Sequence, residues 1–99
     1  MIRKKFFKTK DEVEVTFELD GGEAEEAAVA CEHHDWEPMP MKRASRGKGP
    51  FRLRMRLPKG GAYQFKYLVG RDEWLTDSSA DGVRPNAFGT MNSVVSTAG

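Results

Sequence analysis

The chain has 99 residues, a length that suits one domain with a single hydrophobic core and no disulfide cross-links. Its 16 basic and 15 acidic residues leave a formal net charge of +1, which gives no overall basic field for nucleic acid. A single cysteine and the lack of any long apolar window exclude an internal disulfide and a membrane span, so we expect a soluble cytoplasmic protein.

The first half of the chain predicts two strands. Residues 13–19 alternate apolar and polar side chains, and the glycine-rich turn at 20–22 ends this half-buried strand. Alanine and glutamate over 23–28 favour a helix by propensity, but a period of two continues beyond them and predicts a strand instead. That period runs through Ala27, Val29, Cys31 and His33. A polar connection over 37–50 follows.

The second half predicts three more strands. The most regular alternation lies at 51–57 and closes at the turn 58–61, directly before an aromatic strand at 63–69, so we expect these two strands to form a hairpin. Residues 77–89 read as a loop, and 92–97 supply a last strand. Strands separated by turn signals, without a convincing helix, predict an all-β antiparallel β-sandwich that takes up the whole chain.

The strand at 63–69 carries the first functional signal. Its alternation turns an aromatic ladder towards the core and leaves Lys66 on the opposite face. Trp36 and Trp74 lie in turn-rich sequence, where a large indole is less readily buried. An amine beside exposed aromatic planes suits a sugar, which has apolar faces and a rim of hydroxyls. Two ordinary, partly buried anchors at the sandwich ends are the structural alternative, and composition alone favours it.

Five short segments between about Val13 and Val95 occur in a familiar order and spacing. They are His34-Asp35-Trp36, Leu57-Pro58 before Gly61-Ala62-Tyr63, Tyr63-Gln64-Phe65-Lys66-Tyr67, Glu73-Trp74-Leu75-Thr76-Asp77 and Gly89-Thr90-Met91-Asn92-Ser93-Val94-Val95. Together they resemble the family-48 carbohydrate-binding modules, which accompany isoamylases and branching enzymes and occur in the β subunits of AMP-activated protein kinase. The resemblance implies one immunoglobulin-like, early-set sandwich over residues 1–99 that binds α-1,4-linked glucan without cleaving it.

The same resemblance implies six carbohydrate-binding residues: Trp36, Lys66, Trp74, Phe88, Thr90 and Asn92. The two tryptophans match stacking residues, the lysine and the asparagine match hydroxyl-binding residues, and the threonine matches a supporting polar contact. Phe88 falls where glycogen-binding members of the kinase group carry a leucine that presses on the sugar helix. An aromatic ring at that position either adds a third platform or blocks the groove.

The chain departs from the family pattern before its first tryptophan. Cys31-Glu32-His33-His34 stands where the family has Gly-Asp/Ser-Phe-Asn, which implies altered packing beneath Trp36. Asp77-Ser78 replaces the usual Asp-Pro, a milder change. The first departure favours an alternative function, a protein-interaction or assembly module that keeps the fold and has lost the sugar site. Cys31 and His33 would share one face of an extended strand, but with no second Cys/His cluster we expect no metal site and no cofactor.

A basic row on the strand at 51–57 offers a second surface. Arg52, Arg54 and Arg56 alternate with apolar residues, much as Glu14, Thr16 and Glu18 do on an earlier strand. Ion pairing across neighbouring strands is the simpler account, and a docking surface for an acidic partner is the functional one. Nucleic acid is disfavoured, because the chain lacks a basic excess and its aromatics do not interleave with this row.

Catalysis finds little support in the sequence. Cys31 lies near two histidines along the chain, but neighbours in sequence do not make a catalytic geometry. Glycoside hydrolysis needs two carboxylates across a cleft, which the related hydrolases carry on a separate barrel. We therefore expect a non-enzymatic domain whose partner is an α-glucan, with a glucan-metabolising enzyme as a candidate protein partner.

Overall fold

A computed structural model of the chain describes residues 1–22, 24–43 and 49–98. These residues form ten strands and no α-helix, and none of their segments is a helix long and apolar enough to cross a membrane. Glu23, in the segment where propensity favoured a helix, and residues 44–48 of the predicted polar connection lie outside the described residues. The strands are β1 (Ile2–Phe6), β2 (Glu12–Leu19), β3 (Ala27–Cys31), β4 (Met39–Pro40), β5 (Lys42–Arg43), β6 (Phe51–Pro58), β7 (Ala62–Val69), β8 (Glu73–Leu75), β9 (Gly82–Pro85) and β10 (Met91–Ser96).

The strands form two antiparallel sheets. One sheet has the order β1-β2-β6-β5, and the other has the order β4-β3-β7-β10-β9, with β8 paired to β7 beside β10. Chain order and neighbours match the A-B-E-D sheet and the C-F-G sheet of an immunoglobulin domain, with β3, β7 and β10 as C, F and G. The predicted all-β, immunoglobulin-like antiparallel sandwich is confirmed.

Aromatic contacts join the two sheets at the centre of the core. Phe17 of β2 meets Phe65 and Tyr67 of β7 edge to face, with ring centroids 4.9 and 6.5 Å apart. All three rings are fully buried, as the alternation of both strands predicted. Edge-to-face contacts of this kind add about 0.5–1.5 kcal/mol per pair beyond the burial of apolar area. The face of β7 that carries Lys66 therefore points away from the core.

The arginine row of β6 is paired with the glutamate row of β2. Their register sets Glu18 opposite Arg52 and Glu14 opposite Arg56. Arg52 Nε lies 2.8 Å from Glu18 Oε2, and Arg56 Nη1 lies 3.7 Å from Glu12 Oε1. Cross-strand ion pairing, the simpler account of the two rows, is therefore present on this outer face.

The predicted hairpin between the strands at 51–57 and 63–69 is wrong. β6 pairs with β2 and β5, whereas β7 pairs with β3, β8 and β10, so the connection crosses from one sheet to the other. Thr97 holds this crossing: its N–H donates to Gly61 O, its hydroxyl donates to Pro58 O, and Gly60 N–H donates to its carbonyl, at 2.8, 2.7 and 3.0 Å. A short glycine turn specifies a change of direction but does not specify which strand becomes the neighbour.

Several element boundaries also differ from the prediction. The strand through Cys31 ends there, and Glu32–His34 form a 3₁₀ turn, so Cys31 and His33 do not share a strand face. Two short strands, β4 and β5, interrupt the predicted polar connection, and β9 lies inside the predicted loop at 77–89. β1 and β8 were not predicted as strands. These strands are short or lie at sheet edges and bury few residues, so they lack a clear period-two pattern.

A buried carboxylate, Asp77, ties the segment after β8 to the body of the sandwich. It accepts hydrogen bonds from the Tyr67 hydroxyl at 2.6 Å, from Ser79 N–H at 2.8 Å and from the Met1 ammonium at 2.9 Å. Its own N–H donates to Ser93 Oγ at 2.8 Å. Burial by itself raises the pKa of Asp77, but the hydrogen bonds from Tyr67 and the ammonium outweigh it, and the pKa is lowered.

Asp77→Asn tests the contribution of this carboxylate. A carboxyl group with a lowered folded-state pKa stabilises the fold above its unfolded-state pKa and loses that contribution as pH falls through the folded value. We expect the variant to lose about 2 kcal/mol of unfolding free energy at pH 7, and the loss to shrink below about pH 4. Urea titrations at pH 7 and below about pH 4 measure the free energy of unfolding of both proteins. Asp72→Asn, at an exposed residue, is the control. A loss that does not change with pH would contradict this account.

Candidate functional site

An open groove of about 940 Å³ lies on the outer face of the six-stranded sheet. It brings together all six residues that the sequence resemblance singled out: Trp36, Lys66, Trp74, Phe88, Thr90 and Asn92. Four further lining residues were not predicted: Leu75, Thr76, Asn86 and Met91. The lining comes from four separate stretches of chain, namely the turn after β3, the middle of β7, β8 with the residue after it, and the segment 86–92.

The first indole is presented by the 3₁₀ turn after β3. Asp35 and Trp36 both adopt left-handed backbone conformations, with φ of 56° and 61°, which is unusual for residues other than glycine. Trp36 N–H donates to Cys31 O at 3.0 Å, and the Glu32 carboxylate accepts Gln64 N–H from β7 at 2.8 Å. The departure before the first tryptophan thus forms a tight turn against β7, and Trp36 is 40% exposed.

The second indole is presented by a short strand. Trp74 pairs with Leu68 across β7 and β8, and its side chain is 48% exposed. Lys66 and Leu68 share the outward face of β7, opposite the buried aromatic ladder. Trp74 is therefore held beside the lysine by main-chain pairing as well as by the turn between the two strands.

Asn86 organises the third wall of the groove. Its Oδ1 accepts the N–H groups of Phe88 and Thr90 at 2.9 and 3.2 Å, and its Nδ2 donates to Thr90 Oγ1 and Asn92 Oδ1 at 2.7 and 2.9 Å. Gly89 completes the turn with φ of 79°. The bond from Phe88 N–H, two residues on, makes this an Asx turn, and the preference of asparagine for such turns is the sequence signal that pointed to a turn here.

Phe88 stands at the tip of that turn and is 90% exposed. Its backbone N–H is held by Asn86, so the ring is carried on an ordered turn. The ring lines the groove and leaves it open, which matches a platform at the rim better than a plug.

The polar edge of the groove is built around Thr90. Its Oγ1 accepts hydrogen bonds from Lys66 Nζ at 3.0 Å and from Asn86 Nδ2 at 2.7 Å, so its own proton remains to be donated. Asn92 is only 6% exposed, and its Nδ2 donates to Gln64 Oε1 at 3.0 Å. Asn92 thus chiefly connects the groove floor to β7, while Lys66 and Thr90 face the open space.

Cys31 and its histidine neighbours form a different kind of environment. Cys31 is fully buried, and burial raises the pKa of its thiol, which disfavours the thiolate that nucleophilic chemistry requires. His33 packs its ring against Tyr63, with centroids 5.4 Å apart. Among residues 1–22, 24–43 and 49–98, no group of three or more His, Cys, Asp or Glu side chains is placed to hold a metal ion.

Comparisons with known proteins leave the groove to be interpreted from its own chemistry. No protein-family model matches the chain, and no curated protein matches it either. The likeness to carbohydrate-binding modules therefore stays a prediction drawn from the order of short segments.

Asn86→Ala tests whether this residue orders the groove wall. We expect backbone amide exchange at Phe88 and Thr90 to rise by about tenfold or more, because both N–H groups lose their acceptor. Asn86→Asp keeps that acceptor and loses the two donated bonds, so it is expected to protect both amides better than alanine does. Hydrogen exchange followed by NMR measures this. Equal protection in the unaltered chain and in Asn86→Ala would contradict the assignment.

Proposed function

We propose that this domain binds α-1,4-linked glucan of the glycogen or starch type and does not cleave it. The observation that carries the proposal is the meeting of two exposed indoles, Trp36 and Trp74, in one open groove with the Lys66 ammonium and the Thr90 hydroxyl. These groups come from distant parts of the sequence, and the resemblance to family-48 modules selected each of them.

The aromatic side chains suit the apolar faces of glucose. An indole packs against the C–H face of a pyranose ring as it packs against other apolar surface. Trp36 and Trp74 are proposed to stack on glucose units of one chain, and Phe88 adds a third platform at the rim. Because both indoles are already about half shielded from water, their gain on binding is modest.

The polar edge suits the hydroxyls on the rim of the same sugars. Lys66 Nζ has three protons and donates one of them to Thr90 Oγ1, and the Thr90 hydroxyl proton remains available to a ligand. Such contacts exchange water for sugar at little net gain, so we expect a dissociation constant between micromolar and millimolar, about −8 to −4 kcal/mol.

The kinds of side chain in the groove support a proposal of binding without cleavage. Glycoside hydrolysis relies on a pair of carboxylates. The described lining supplies aromatic, aliphatic, thioether, amide, hydroxyl and amine groups. We therefore propose a retention role, in which the domain holds glucan in the cytoplasm for a glucan-metabolising enzyme.

The alternative of a protein-interaction module was favoured by the altered residues before Trp36, and its expected docking surface is the arginine row of β6. Arg52 and Arg56 are engaged by Glu18 and Glu12 on the same face, which leaves less positive charge for an acidic partner. The groove, by contrast, exposes large apolar side chains without a described cover. The balance favours the groove as the functional surface.

Trp74→Ala tests the proposal directly. The unaltered chain is expected to bind maltoheptaose with saturable quenching of tryptophan fluorescence, and isothermal titration calorimetry should give the same constant. Loss of the Trp74 platform is expected to raise the dissociation constant by about tenfold or more, and Trp74→Phe should fall between the two.

Val83→Ala is the matched control, because Val83 is 55% exposed and does not line the groove. It should bind maltoheptaose as the unaltered chain does, and circular dichroism should show the same fold for every variant. Absence of saturable binding in the unaltered chain, or unchanged binding by Trp74→Ala, would count against the proposed function.

A further inference from the structure

The β9–β10 hairpin carries four polar or charged residues on its groove side. Arg84 pairs with Asn92 across the two strands, and Asn86 N–H donates to Thr90 O at 2.9 Å one step further along. Because side chains alternate along each strand, Arg84 and Asn86 point the same way, and so do Thr90 and Asn92. The side-chain bonds of Asn86 to both Thr90 and Asn92 confirm that this is one face.

Most hydrogen-bond acceptors on this face already accept hydrogen bonds from other groups of the protein. Asn86 Oδ1 accepts two N–H groups, and Thr90 Oγ1 accepts from Lys66 and Asn86. Asn92 Oδ1 accepts from Asn86, and the side chain is almost completely buried. What the face offers to a ligand is therefore mainly donors: the two remaining Lys66 protons, the Thr90 hydroxyl proton and the Arg84 guanidinium.

Two cations stand on this donor face without a described carboxylate partner. The ion pairs among the described residues involve the Met1 ammonium, Lys4, Arg52 and Arg56, and neither Lys66 nor Arg84 takes part in one. β7 and β9 flank β10 on either side, so the backbones at Lys66 and Arg84 lie two strand spacings, about 10 Å, apart. Lys66 Nζ reaches Thr90 Oγ1 at 3.0 Å, and Arg84 is exposed on β9, just outside the residues that line the groove.

We propose that the groove prefers an α-glucan that carries an anionic substituent, a phosphate monoester, seated between Lys66, Thr90 and Arg84. This inference depends on the proposed function and specifies its ligand further. The glucan chain stacks on the indoles, and the phosphate lies at the edge formed by β7 and the β9–β10 hairpin.

The chemistry of a phosphate fits this edge better than that of a neutral hydroxyl. A sugar hydroxyl both donates and accepts a hydrogen bond. Where the protein offers only donors, the hydroxyl can accept from the protein but must donate its own proton to water. A phosphate monoester has only acceptor oxygens at neutral pH, and a guanidinium contacts two of them at once. The attraction acts near the protein surface, so salt is expected to weaken it.

The test compares maltoheptaose with maltoheptaose that carries one 6-phosphate monoester, by calorimetry at low ionic strength. The phosphorylated sugar is expected to bind about fivefold or more tightly, and about 0.5 M NaCl should remove most of the difference. Arg84→Gln should reduce the preference to less than about twofold while it leaves affinity for unmodified maltoheptaose unchanged. Arg54→Gln is the matched control, because it removes one exposed arginine from the opposite sheet.

The outcomes separate this inference from the proposed function. Equal affinities of the two sugars for the unaltered chain would overturn the phosphate preference and leave glucan binding intact. Failure of both sugars to bind would overturn the phosphate preference and the proposed function together. A preference that survives Arg84→Gln, or that Arg54→Gln removes equally, would also overturn the assignment. Displacement of the phosphorylated sugar by inorganic phosphate at a concentration similar to that of the sugar would also overturn the assignment, because that result indicates a site for the free anion.

Discussion

The buried carboxylate of Asp77 is the constraint on which the groove depends. The chain between β7 and β10 supplies Trp74 on one side of Asp77 and the segment 86–92 on the other, and this chain is mostly exposed. Asp77 fixes it to β7 through the Tyr67 hydroxyl and to β10 through Ser93. Because a buried charge is tolerated only when its hydrogen bonds are satisfied, these contacts hold the chain in one position. This contact inside the core anchors the chain that connects the two groove walls, and the walls themselves are shaped by the β7–β8 pairing and by Asn86.

Rigid strands and tight turns contribute differently to the groove. β7 and β10 provide the floor, where Lys66 and Asn92 are held by main-chain pairing on both sides. The turns provide the aromatic platforms, with Trp36 behind a 3₁₀ turn and Phe88 on the turn that Asn86 closes. A scaffold that positions binding residues on loops is a common arrangement, since loops tolerate changes in side chain without loss of the core.

The sequence predicted the parts of this fold that bury one face of a strand. β2, β3, β6 and β7 follow from apolar alternation, β10 follows from its valine pair, and the exposed tryptophans follow from their turn-rich surroundings. Strand pairing did not follow, because the turn at 58–61 is compatible with a hairpin as well as with a crossing, and Thr97, far along the chain, holds the crossing. Asparagine favours a turn at position 86, but that preference does not specify the four side-chain hydrogen bonds by which Asn86 orders the groove wall. Trp36, Lys66 and Trp74 were indicated by the sequence pattern itself, whereas Phe88, Thr90 and Asn92 came from the family resemblance.

The most direct test of the central claim is an NMR titration of the isotopically labelled chain with β-cyclodextrin. The account predicts shift changes at the indole N–H groups of Trp36 and Trp74, at Lys66 and across 88–92. Resonances of the β2–β6 face, on the other sheet, should stay unchanged. If millimolar ligand moved none of the groove resonances, or moved those of the opposite sheet instead, the glucan site would not exist in this groove.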